Sequence, residues 1–258
     1  MKPVIVKNVA IGAGTPKVCV PIVETDAAEI LTAVEKAAAS AADLIEWRAD
    51  HFVNHNDEAE LLQVLQGVYQ ICAGKPLLFT LRSVKEGGKS EASDEAYLSL
   101  VQAVIRSGNV DLVDVEMQKG EEICRQLLKN AHLHSLPVVM SRHHFTTTPD
   151  DDLLVAEVRT MKELGADILK LAVMPLDKED VVRLLLITEQ LSRDYSDVPV
   201  VTVSMSGMGL ISRISGEISG SAITFASLEK ASAPGQIALA EMKELLDKVH
   251  NGIIAEEE

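Results

Sequence analysis

Eight short runs of β-branched and aliphatic residues recur along the chain, each separated from the next by a longer stretch of helical period. The runs are VCVPIV (18–23), DLIEWR (43–48), LLFTLR (77–82), DLVDVE (111–116), PVVMSRH (137–143), DILKLAV (167–173), PVVTVSM (199–205) and AITFAS (222–227). Periods of about two and 3.6 residues distinguish strand from amphipathic helix. Strand and helix alternating eight times over 258 residues predict an α/β fold, a (β/α)8 barrel. A single domain is expected over residues 1–258, with residues 1–16 as an N-terminal β-hairpin covering the barrel bottom. A doubly wound open sheet is the competing architecture, but its phosphate fingerprint is missing. GAG at 12–14 is followed by TPK, and SGMGL at 206–210 lacks the required glycine spacing. Helix ends are marked too: Thr148 is expected as an N-cap with Pro149 at the first helical position, and Gly165, Gly74 and Gly108 as stops.

Residues two apart on a strand share a face. Glu46 and Arg48 therefore face the same way, as do Thr80 and Arg82, Asp114 and Glu116, and Ser141 and His143. Lys170 shares its face with Ile168 and Ala172, while the opposite faces, such as Val113 with Val115 and Leu169 with Leu171, are apolar. The polar members gather toward the carboxyl ends of the strands, where barrels build their sites. Lys170 is thus expected inside a confined lumen with Glu46, Arg48, Arg82, Glu116 and His143. Desolvation and neighbouring cations both push such an amine toward its neutral, nucleophilic form. A buried ion-pair network of Lys170 with Glu46 or Glu116, fixing register alone, is the alternative reading.

The formal net charge of −15 disfavours nucleic acid and anionic membrane surfaces as partners. A hydrophobic fraction of 47% with only 3% aromatics implies a core of Leu, Val, Ile, Ala and Met. Cys19, Cys72 and Cys124 lie apart in apolar segments, as reduced thiols do in the cytoplasm. Neither a signal-peptide core nor an eighteen-residue apolar run is evident, so a cytoplasmic location is expected. His132 and His134 cannot share a helical face, and His51 and His55 sit in a loop-like stretch, so no metal site is expected from them. Glu46, Asp114, Glu116 and His143 could hold a divalent ion, a reading that the cations in the same lumen oppose.

Several longer stretches resemble the type I 3-dehydroquinate dehydratases of the shikimate pathway. They are EWRAD (46–50), KPLLFTLRSVKEGG (75–88), MSRHHFTTTP (140–149), GADILKLAVMP (165–175), ISRISGEISGSAITF (211–225) and KASAPGQI (230–237). The resemblance implies a lyase working without cofactor or metal on the small molecule 3-dehydroquinate, as a homodimer. It implies that Lys170 condenses with the C3 ketone, that His143 moves the C2 proton and then protonates the departing C1 hydroxyl, and that Glu86 orients this histidine. Arg213, Ser232 and Gln236 match groups that hold the substrate carboxylate and close a loop over it. Glu46, Arg48 and Arg82 match residues that bind the ring hydroxyls. The chemistry suits these types: a protonated imine makes the neighbouring C–H acidic, and a histidine can take and return a proton.

Two positions depart from the family pattern. Pro21 stands where some members have serine, and His144 stands where aspartate normally follows the catalytic histidine. Strand alternation turns His144 away from the lumen, so its effect is expected on the local field at His143. A class I Schiff-base aldolase is the second enzymatic reading, although such enzymes usually carry a phosphate site at the last strands. A small-acid binding protein in which Lys170 pairs with a ligand anion is the non-enzymatic one.

Overall fold

The computed structural model describes residues 2–72, 74–229 and 232–255. Met1 of the leading segment, and Lys230 and Ala231 of KASAPGQI, lie outside the described residues. The chain opens with an antiparallel pair, β1 (Val4–Val6) and β2 (Val9–Ile11). Strand and helix then alternate through β3 (Lys17–Ile22), α1 (Ala27–Ala39), β4 (Leu44–Arg48), α2 (Glu58–Ile71), β5 (Leu77–Thr80) and α3 (Asp94–Ser107). The pattern continues with β6 (Leu112–Glu116), α4 (Glu121–Leu133), β7 (Val138–His144), α5 (Asp151–Leu164), β8 (Ile168–Val173), α6 (Lys178–Asp194) and β9 (Val200–Ser204). Two short helices, α7 (Leu210–Ile214) and α8 (Gly216–Ser219), lead to β10 (Ile223–Phe225), and α9 (Leu239–Ile254) follows.

Strands β3 to β10 form one eight-stranded sheet in the order β10-β3-β4-β5-β6-β7-β8-β9, with parallel pairing throughout. A bridge between Val200 and Ser221, with the Ala222 N–H donating to the Val200 carbonyl at 2.8 Å, draws the two edges together. The result is a nearly closed (β/α)8 barrel. Closure removes the free edges that an open sheet would expose.

Three aspartates define where strands begin. Asp43, Asp111 and Asp167 each donate their own N–H to the preceding strand and accept an N–H from the start of that strand on a carboxylate oxygen. The acceptors and donors are Val18, Leu77 and Val138 respectively, at 2.7–2.9 Å to the carboxylate. These aspartates therefore precede β4, β6 and β8 instead of opening them, as the wider sequence runs had suggested.

Other boundaries differ for similar reasons. LLFTLR leaves the ladder after Thr80, because the Arg82 N–H donates to Asp50 Oδ1. AITFAS keeps only three strand residues, flanked by the Ser221 side chain, which accepts the Thr202 N–H at 3.1 Å. Asp150, not Thr148, occupies the N-cap of α5, and the Thr148 hydroxyl donates to the Met174 carbonyl. Gly165 and Gly108 end α5 and α3 in the left-handed conformation as expected, whereas α2 ends on Cys72, before Gly74.

Burial follows the alternation. Ile45, Trp47, Val113, Val115, Val138, Met140, Leu169 and Leu171 pack outward against the helices. Leu44, Leu78, Leu112, Val139, Ile168, Val201 and Ile223 fill the bottom of the lumen. Val6 and Ile11 of the hairpin join that inner layer, so β1 and β2 plug the barrel bottom. The lumen is thereby closed at this end and can open only at the opposite, carboxyl end. Among the described residues no helix is long and apolar enough to cross a membrane.

Candidate active site

Lys170 stands mid-strand on β8, one layer above the apolar plug, and is 6% exposed. Its Nζ lies 4.0 Å from Glu46 Oε1, beyond hydrogen-bond reach, and 4.3 Å from the centre of the Phe225 ring. Glu46 instead accepts the Thr80 hydroxyl at 2.8 Å. An ammonium stripped of water is costly unless it is paired, so this amine is held by an aromatic face and one distant carboxylate. The Lys170–Glu46 ion pair of the alternative reading is present only at this outer distance, with no hydrogen bond between the two groups.

His143 lies at the upper end of β7, its Nδ1 2.9 Å from Glu86 Oε2. Glu86 is fully buried on a 3-10 turn, Val84–Glu86, that follows β5. With Nδ1 committed, no protein group among the described residues holds Nε2, and His143 lines the cavity described below. Burial, together with Arg82, Lys170, Arg48 and Arg142 nearby, holds the imidazole well below its usual range. Burial also pushes Glu86 up to about 7, against the opposing pull of Arg82. Burial thus favours the protonated carboxyl of Glu86 and the neutral imidazole of His143.

Arg82 organises the layer beneath. Its Nη1 donates to Glu86, Glu116 and the Ser141 hydroxyl at 3.1, 3.2 and 2.8 Å. Its Nη2 pairs with Asp114 at 2.8 Å, and Ser141 donates in turn to Asp114. Three buried carboxylates around one guanidinium leave excess negative charge, which helps keep a proton on Glu86. Arg48 is locked differently: Nε and Nη2 both bind Asp50, each at 2.9 Å. Asp50 also accepts the backbone N–H groups of Arg82 and Lys89, tying EWRAD to the loop that carries Glu86.

Arg213, on α7, is 2% exposed and has no carboxylate partner among the described residues. Its Nη2 donates to the Pro234 carbonyl at 3.0 Å, and its Nε is buried with no acceptor among the described residues. Burial alone lowers its guanidinium to about 10, so it stays charged at neutral pH. A buried cation with an unused donor is a receptor for an anion. The loop above it is internally braced, since Gln236 Oε1 accepts the Ser232 N–H at 2.7 Å and its amide donates to the Ser232 hydroxyl.

One cavity of about 150 Å³ gathers Lys170, His143, Glu86, Glu46, Arg48, Arg82, Arg213, Ser232 and Gln236. Every site residue expected from the sequence therefore borders the same space. Asp114, Glu116 and Ser141 face the lumen as strand alternation required, but they support Arg82 from outside this cavity. Sequence reasoning missed Phe225, Met205, Phe145 and Gly87, which also line it. Phe225 could have been found, because it alternates with the inward Ile223. Phe145 stacks on His143, ring centres 6.1 Å apart, across a strand end where alternation stops being a guide.

The departures sit outside the cavity. His144 points from β7 to α5, where Nε2 meets Glu157 at 2.8 Å. Pro21 borders a small separate cleft with Glu24 and Leu228. The other histidines make local ties, His55 to the Phe52 carbonyl, His132 to Asp167 and His134 to the Asn130 carbonyl. Among the described residues no group of three or more His, Cys, Asp or Glu side chains is placed to hold a metal ion.

Comparison with known proteins converges on one family. A sequence model of the type I 3-dehydroquinases matches residues 18–253. A 3-dehydroquinate dehydratase from Bacillus licheniformis is 41% identical over 248 residues, which cover 96% of this chain and 98% of the relative. A crystal structure of a type I 3-dehydroquinate dehydratase from Clostridium difficile, with covalently modified comenic acid, is 42% identical. It superposes with a TM-score of 0.95 over 98% of this chain and 100% of that one. A 3-dehydroquinate dehydratase structure from Geobacillus kaustophilus, 37% identical, gives a TM-score of 0.94 with 97% of both chains covered.

Proposed function

The chain belongs to the type I 3-dehydroquinase family, and from that membership we propose the chemistry of its cavity. The protein is a lyase of aromatic amino acid biosynthesis that dehydrates 3-dehydroquinate. In our reading Lys170 Nζ attacks the C3 ketone, water leaves, and a protonated imine forms. The imine draws electron density from the adjacent C–H bond, so His143 Nε2 can remove a C2 proton. The electron pair then expels the C1 hydroxyl, which His143 protonates as it departs as water. Hydrolysis of the imine returns the amine and releases 3-dehydroshikimate.

Glu86 orients the imidazole, and Arg213 receives the substrate carboxylate, with Ser232 and Gln236 closing over it. Glu46, Arg48 and Arg82 serve the ring hydroxyls. Two of the three Arg48 nitrogens are taken by Asp50, so that side chain offers a rigid donor at low reorganisation cost. No step needs a cofactor. We further propose that the enzyme works in the cytoplasm as a homodimer, which sedimentation velocity on the purified protein checks directly.

The observation that carries the reading is the Lys170 amine, buried and without a hydrogen-bonded anion among the described residues, opening on the same cavity as the His143–Glu86 pair. Borohydride with substrate tests it by mass. The wild type should gain a reduced adduct, and Lys170→Ala should not. His143→Ala should still trap the adduct while turnover falls by about 10²–10⁴-fold. An adduct in Lys170→Ala would remove the amine from the mechanism.

A further inference from the structure

Arg142 lies between Ser141 and His143 on β7, faces outward, and does not border the cavity. Its guanidinium nevertheless reaches the proton-carrying pair. Nη1 is 3.2 Å from Glu86 Oε1 and 3.1 Å from Gln118 Oε1, and Nε is 3.2 Å from Glu157 Oε1. Glu157 occupies the buried face of α5 together with Leu154, Val158 and Met161. A buried carboxylate there is costly unless its oxygens are satisfied. Each is: Oε1 holds Arg142, and Oε2 meets His144 Nε2 at 2.8 Å. A continuous path of contacts thus runs from His144 through Glu157, Arg142 and Glu86 to His143.

We propose that Arg142 is a positioning residue for the dehydration, anchored by Glu157 and Gln118 so that it holds the Glu86 carboxylate turned toward His143. The proposal rests on the reading of His143 and Glu86 as the proton-carrying pair. Glu86 Oε2 is shared by His143 Nδ1 and Arg82 Nη1, whereas Oε1 is met by Arg142. Around Glu86 stand Arg82 after β5, Asp114 and Glu116 on β6, Arg142 and His143 on β7, and the Cys124 thiol on α4. Behind Arg142 lie Glu157 and His144, with Gln118 neutral beside it. Asp114 and Glu116 resist ionisation of Glu86, and Arg82 is already divided among three carboxylates. Loss of Arg142 leaves that shared cation to oppose both, and a proton then persists on Glu86 to higher pH.

The test is the pH dependence of kcat/KM in the full-length enzyme. Arg142→Ala should move the acidic limb upward by about one pH unit and lower kcat at pH 7 about tenfold. KM should stay within about twofold, because Arg142 touches no cavity surface. Arg142→Lys, which keeps the charge, should return the limb most of the way. Should the alanine variant fail to fold, Arg142→Gln keeps a polar donor without the charge, and its limb should move as far. An unmoved limb in a folded, uncharged variant overturns the proposal. Glu86→Gln separates the two readings: if it keeps the wild-type limb, the pair itself was misassigned. If Glu86→Gln abolishes the limb while the Arg142 variants leave it in place, only the positioning role fails.

Discussion

In the proposed mechanism His143 acts as a base only when its partner lets it. Below about pH 7 Glu86 carries a proton, and the depressed imidazole does not readily accept another. Above it Glu86 is anionic, accepts the Nδ1–H, and leaves Nε2 with a lone pair toward the cavity. Activity should therefore rise with pH through about 7; a flat kcat/KM between roughly pH 6 and 8 would contradict this assignment. His144 belongs to the same network at one remove, through Glu157 and Arg142. His144→Ala should keep most activity and shift the limb by less than Arg142→Ala does. Inactivity equal to that of His143→Ala would show that the inward face of β7 is wrongly assigned. Arg213 presents the opposite case, a cation with an unused buried donor. Arg213→Ala should lower kcat/KM by roughly 10²-fold or more, since a desolvated charge-assisted pair is worth on the order of 2–4 kcal/mol. Arg213→Lys should not restore it, because one ammonium cannot reproduce the planar fork; wild-type kinetics there would show that charge alone matters.

Two loops carry the parts that the strands cannot. The turn after β5 places Glu86 beneath His143, and Gly87 ends it at φ 76°. A Cβ there would collide with the ring of Phe145, which stacks on His143. Gly87→Ala should thus act twice, through backbone strain and through Phe145. A stability loss of about 1–3 kcal/mol and a fall in kcat of about tenfold or more are expected. Thermal melts and steady-state kinetics check both, and a variant with wild-type kcat would show that the stack does not position the imidazole. The second loop descends from β10, with Gly235 pressed against the Ser206 carbonyl at φ 78°. The Arg213–Pro234 hydrogen bond holds this loop over the cavity. In the proposed reading α7 thus supplies both the anion receptor and, through the same side chain, a tie to this loop.

For the molecule as a whole, site and stability pull apart. Glu86 has a folded pKa of about 7 against 4.5 for the free side chain, so the folded state binds more protons between those values. Its contribution is fully present below about pH 4.5 and is lost as pH rises through about 7, on the order of 3 kcal/mol. The stability of wild type relative to Glu86→Gln should fall across that window in denaturant titrations; a rise would reverse the assigned direction. What the sequence determined by itself was the barrel and its inward face. Period two along each strand and 3.6 along each helix are local properties, and they already placed Glu46, Arg82, His143 and Lys170 in the lumen. The motif stretches added Glu86, Arg213, Ser232 and Gln236 by resemblance. Only the tertiary structure decided which groups pair. Asp50 takes Arg48, Arg142 reaches around β7 to Glu86, Phe225 covers Lys170, and three aspartates trim the strand starts. Each such contact joins residues far apart in the chain or at a strand end, where side-chain direction depends on neighbours that no local period encodes.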